Sequence, residues 1–156
     1  MREIDSYSYH LGAADCFCEM VRAGVKNLAL SHPCDSKAER DFFLPAFQKL
    51  CEKYSVKLYV EDDPLLTDLF PLSMNRGKFN VLFYQDDSVL REYLGLKEEK
   101  CQALEAGAYT PERRLRIARQ YGRLLSYTLF RQPRWPACWF LSFECRKSLF
   151  ICNLYP

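Results

Sequence analysis

Between Ser8 and Ala23 the apolar residues Leu11, Ala14, Cys18 and Val21 recur at three- and four-residue spacing, while Asp15, Glu19 and Arg22 form a polar stripe. That period predicts an amphipathic helix, with Gly24 as its stop. Asn27 to Ser31 is a short, mostly apolar run between Gly24 and Pro33, too brief for a helix, and reads as a buried strand over 27–32. Ser36 followed by Glu39 has the spacing of a capping box. It opens a second helix whose Phe43, Ala46, Phe47, Leu50 and Tyr54 share a face, with a kink or restart expected at Pro45.

The β-branched and aromatic stretch Val56 to Val60 predicts a second strand over 56–61, ended by Glu61-Asp62-Asp63-Pro64. A connection with a short helix near Leu65 to Leu69 leads to a third strand over 79–84, and Gln85-Asp86-Asp87 supplies a turn and a helix cap. Residues 88–106 continue as a helix broken or bent at Gly95. Thr110-Pro111 opens a last helix to about Ser126, with Leu115, Ala118, Tyr121, Gly122 and Leu125 inward. Strands alternating with helical segments predict an α/β layered domain over residues 1–127, with a mainly parallel sheet of at least three strands flanked by helices. Strand order is open. In the order second, first, third, the switch point would bring His32 near Gln85 and Asp86.

The pattern changes after Tyr127. Residues 127–156 contain both tryptophans and three of the eight cysteines, no Asp, no Gly and a single Glu against four basic residues. This aromatic tail, 128–156, has a weak hairpin pattern across residues 144–147 but no Asn-Gly or Asp-Gly turn. Lacking turn chemistry, acidic gatekeepers and clear periodicity, it reads as an appended or loosely packed segment, or as a surface for a homo-oligomer or a protein partner.

Composition narrows the function only by exclusion. The chain has 156 residues, 49% hydrophobic and 27% charged, with a formal charge of +2, which argues against disorder and against a charge-driven nucleic-acid partner. Charges at Arg2, Glu3 and Asp5 argue against an export signal, and no uncharged run near the C-terminus reaches the roughly 20 residues of a membrane span. A cytoplasmic protein with no membrane partner is expected, its cysteines reduced. None of them is spaced CxxC, so structural zinc is not expected.

Ligand crevices of open parallel sheets lie beyond the carboxyl ends of the strands. That rule selects His32 as the acid–base or ligand-contacting residue, with Ser31, Asp35, Ser36, Glu61, Gln85 and Asp86 as ligand-binding candidates. The free backbone donors of the helix opening after Ser36 suit a phosphate or carboxylate, although no Gly-rich phosphate loop is present. The leading expectation is therefore a site for a small anionic metabolite, its catalytic capacity and cofactors left open. The alternative is a regulatory or protein-interaction module that binds another protein through the aromatic tail or the Arg116 to Arg123 stripe and whose strand-end crevice is shallow or filled.

Three further groupings read mainly as structural. The acids Glu61, Asp62, Asp63, Asp86 and Asp87 could hold Mg²⁺ if two strand ends met, but serve more simply as turn and cap residues. His10, Cys16 and Cys18 do not share one helical face. The stripe Arg116, Arg119 and Arg123 reads as a solvated face paired with Glu98, Glu99 or Glu105.

Overall fold

The computed structural model describes residues 5–127, which form three layers: two helices, a three-stranded sheet, and two more helices. The elements in chain order are α1 (Ser6–Arg22), β1 (Leu28–Leu30), α2 (Lys37–Tyr54), β2 (Lys57–Glu61), α3 (Leu72–Asn75), β3 (Asn80–Tyr84), α4 (Asp87–Glu105) and α5 (Pro111–Leu124). The expectations for the 128–156 tail lie outside the described residues.

The sheet is antiparallel, in the order β1-β3-β2, and this overturns the expected mainly parallel sheet. β1 and β2 do run in the same direction with α2 between them, as the helix-strand alternation implied. But β3 slots between them with opposite polarity, pairing Leu28 with Tyr84 and Tyr59 with Leu82. The reason lies in the connection after β2. It contains only the four-residue α3, later than the short helix expected near 65–69, and its Leu65, Leu69 and Phe70 pack on the α4–α5 side of the sheet. β2 ends at Glu61 and β3 begins at Asn80, which are partners, so the chain leaves and re-enters at the same end of the sheet.

Burial explains why the sequence of β3 resembled a parallel strand. All five of its residues are buried, because α1 and α2 cover one face and α4 and α5 the other. Ala29, Val81 and Phe83 pack with Ala14, Cys18, Val21, Phe43, Phe47 and Cys51. On the opposite face Leu28, Leu82 and Tyr84 pack with Tyr93, Leu96, Tyr121 and Leu124. Each fully buried side chain of this size contributes about 1.5–3 kcal/mol.

Local signals hold the helices in place. Asp5 caps α1 by accepting from the Ser8 backbone N–H at 2.9 Å, and Ser36 caps α2 by accepting from that of Glu39 at 3.1 Å. α2 continues through Pro45 and α4 through Gly95, so neither expected break ends its helix.

Glu61 is the most demanding residue of the fold: its carboxylate is buried and shared by three donors. These are the Tyr93 hydroxyl at 2.8 Å, the Lys97 ammonium at 2.7 Å and the Asp63 backbone N–H at 2.9 Å. Tyr93 in turn accepts from the Leu65 N–H at 3.1 Å, and Lys100 Nζ donates to the Leu66 carbonyl at 2.7 Å. The long β2–β3 connection is thereby tied to α4. Replacing Tyr93 by Phe removes two bonds from this buried network, and urea unfolding should show a loss of about 1–2 kcal/mol.

Candidate functional site

The antiparallel sheet divides the expected site residues between its two ends. Ser31, His32, Asp35, Ser36 and Glu61 gather at the end where β3 begins. Gln85 and Asp86 lie at the other end, after β3, so the expected approach of His32 to them does not occur. The acid cluster of Glu61, Asp62 and Asp63 is likewise separated from Asp86 and Asp87, and the two do not meet.

Most of these residues already have structural partners. Ser31 continues the β1–β3 pairing: its N–H donates to the Val81 carbonyl at 2.8 Å and its Oγ accepts from the Val81 N–H at 2.9 Å. Ser36 caps α2, while the Glu39 carboxylate accepts from the Asp35 N–H at 2.7 Å. Asp35 is ion-paired with Lys78, and Asp62 with both Lys37 and Arg40. Asp86 caps α4 by accepting from the Ser88 N–H at 2.8 Å. The charges around the start of α2 are therefore largely neutralised in place.

His32 is displayed by the backbone on either side of it. Ser31 is held to Val81, and Cys34 exchanges two backbone bonds with Phe79 at 2.9 and 3.0 Å, so His32-Pro33 projects between two fixed points. Its ring meets that of His10 edge-to-face at 5.0 Å between centroids, and that of Tyr9 at 5.1 Å. His10 stacks on Phe43 at 4.4 Å, and its Nδ1 is buried without a hydrogen-bond partner among the described residues. His10 and His32 thus form a pair. The two cysteines considered with His10 go elsewhere: Cys18 into the core and Cys16 to an exposed position.

Burial, the largest influence, holds both imidazoles below the ordinary histidine value; the His10–His32 interaction and Lys78 act in the same direction, against Glu39. Burial also raises the neighbouring Cys34 thiol to about 11, so it is not an activated nucleophile. Among the described residues, no group of three or more His, Cys, Asp or Glu side chains is arranged to hold a metal ion.

The histidine pair belongs to a larger aromatic surface that the sequence reading did not single out. Phe42 contacts Tyr7 and Phe43, Tyr7 contacts Phe43, Phe43 carries His10, and His10 and His32 meet Tyr9. Phe42 is 67% exposed, Tyr7 40% and Tyr9 41%, so this surface is partly open to solvent. Beside it, Tyr7 and Leu11 of α1 and Phe42, Pro45, Ala46, Lys49 and Leu50 of α2 line a mainly apolar groove. The available signal was Phe42, a large aromatic outside the apolar stripe that carries Phe43 and Phe47.

On α5, Arg116 pairs with Glu99, as the sequence suggested, and Arg114 makes a bidentate pair with Asp68 at 2.7 and 2.5 Å. Arg119 and Arg123 have no ion-pair partner among the described residues.

The histidines make the fold acid-sensitive. Because their folded values lie below the ordinary 6.5, the unfolded chain binds more protons in the acidic range. Their contribution is complete above about pH 6.5 and is lost as pH falls toward the folded values. Urea midpoints near pH 7.5 and pH 5.5 should show a smaller acid loss for His10→Phe, which keeps a ring on Phe43; an unchanged loss would exclude His10 as a source. Compared with protein-family models, curated proteins and solved structures, the chain matches none.

Proposed function

We propose that this protein is an interaction module that receives an apolar segment of a partner protein, carrying a carboxylate, in the groove between α1 and α2. The observation that carries this reading is the pair of exposed, mutually contacting rings Tyr7 and Phe42 that line that groove, linked through the buried Phe43 and His10 to the exposed Tyr9 and His32. Exposed aromatics in contact with one another are the side chains that dominate binding energy at protein interfaces. Lys49 lies in the groove with no ion-pair partner among the described residues, which selects an acidic group on the partner. Pro45 has no N–H to return to the Asp41 carbonyl, leaving an acceptor beside Phe42.

A second reading rests on His10. A buried Nδ1 without a partner beside the accessible His32 suits a small anion, a phosphate or carboxylate, whose charge would favour protonation of the pair. This is the reading that His32 and the start of α2 supported in the sequence. The paired state of Lys37, Arg40 and Lys78 makes it the weaker of the two.

Fluorescence anisotropy with two labelled amphipathic peptides, one apolar face flanked by Glu and the same face flanked by Lys, tests the first reading. The acidic peptide should bind better. Phe42→Ala should weaken it tenfold or more, about 1.4 kcal/mol, and Lys49→Glu should reverse the preference. Binding of neither peptide, or binding indifferent to both substitutions, counts against the module. For the second reading, phosphate should raise the unfolding temperature of the native chain and not that of His32→Ala; equal shifts exclude His32.

A further inference from the structure

The backbone of β2 has an outer edge whose polar groups can be assigned residue by residue. Both backbone groups of Val81 face β1, because its carbonyl accepts from the Ser31 N–H and its N–H donates to Ser31 Oγ. Successive residues of a strand turn these groups to opposite sides. Asn80, Leu82 and Tyr84 therefore face β2, where they meet Glu61, Tyr59 and Lys57. Leu58 and Val60 are left with their N–H and C=O groups pointing away from the sheet. Among the described residues nothing bonds to these four groups. The opposite edge strand differs: β1 has three residues, of which Leu28 and Ala29 are almost fully buried. Leu58, Tyr59 and Val60 are only half-buried.

We propose that β2 pairs antiparallel with β2 of a second copy of this chain, about a two-fold axis at Tyr59, joining two three-stranded sheets into one of six. The register follows from the free groups. With Tyr59 opposite Tyr59, Leu58 of each copy lies opposite Val60 of the other, and the four resulting N–H to carbonyl bonds use all eight outward groups. The same register sets Lys57 opposite Glu61 and brings no like charges together, since the Glu61 carboxylate is buried against Tyr93 and Lys97 and Lys57 is paired with Asp87. Leu58 and Val60 project to the face where Cys51, Val56 and Leu58 border a second groove, which extends the apolar contact. An edge strand of this kind is a pairing template unless charge, proline or a covering element blocks it. In β2 the one exposed charge is Lys57, and Asp87 holds it at 2.6 Å.

Sedimentation velocity on the full chain from micromolar to millimolar concentration should show conversion to twice the monomer mass. Val60→Pro is the selective disruption, because the Val60 N–H makes no bond within its own sheet, whereas proline at Tyr59 would break the pairing with Leu82. It should keep the native circular dichroism and remain monomeric across the same range. A native chain that stays monomeric, whether its edge is bare or covered by another segment, overturns the proposal. So does a folded Val60→Pro chain that dimerises as the native chain does. Should Val60→Pro fail to fold, Tyr59→Cys decides, since directly opposed side chains at a non-hydrogen-bonded position lie within disulfide reach. Mild oxidation should then join position 59 of one copy to position 59 of the other, identified by peptide mapping, and absence of that link overturns the pairing.

Discussion

The burial of β3 on every side is the constraint on which the rest of the structure depends. A strand covered on both faces and flanked on both edges can leave no backbone group unpaired, since each would cost about 1–3 kcal/mol. β1 is too short to pair along its whole length, and a side chain completes the job: Ser31 accepts the Val81 N–H through its hydroxyl. Asn80, entirely buried at the start of the strand, donates to the Ser31 carbonyl at 3.2 Å. The Cys34–Phe79 bridge then extends the pairing beyond the sheet proper. The loop that displays His32 is therefore a consequence of satisfying the central strand.

The same economy governs the polar residues at that end of the sheet. A connection leaving and re-entering at one end of the sheet must be anchored, and Glu61 does this from the last position of β2, through Tyr93, Lys97 and the Asp63 backbone. Arg40, buried near the start of α2, reaches the Glu61 carbonyl and Asp62. Charges so placed are costly to desolvate and disruptive to leave unpaired, so their role is closure of the fold. Among the described residues, what remains chemically uncommitted is the exposed rings at the α1–α2 face, Lys49 in its groove, the His10 Nδ1, and the buried Asn80 Oδ1 of β3.

Much of this was legible in the sequence. The buried positions Ala14, Cys18, Val21, Phe43, Phe47, Ala118 and Tyr121 follow from helical period, and Ser36, Asp86 and Thr110 act as the caps their spacing announced. The three strands fall within a residue or two of their expected limits, because short β-branched and aromatic runs between turn residues have few other uses. Such signals are local, arising within a turn of helix or a few residues of strand.

Strand direction is not local, and neither is the meeting of residues far apart in the chain. A wholly apolar strand such as β3 announces burial on both faces, which parallel sheets require and a helix-covered antiparallel sheet also produces; hydrophobicity alone cannot separate them. The path of the 62–79 connection decided it, sending Gln85 and Asp86 to the end of the sheet opposite His32. The contact of His10 with His32, 22 positions later, likewise exists only because α1 and α2 pack side by side on one face. The amino-acid sequence by itself determined the apolar faces of the long helices and the approximate limits of the long helices and the strands, since those depend on near neighbours. The tertiary structure alone decided polarity, the partners of the strand-end charges and the aromatic surface, since those depend on how separate segments meet.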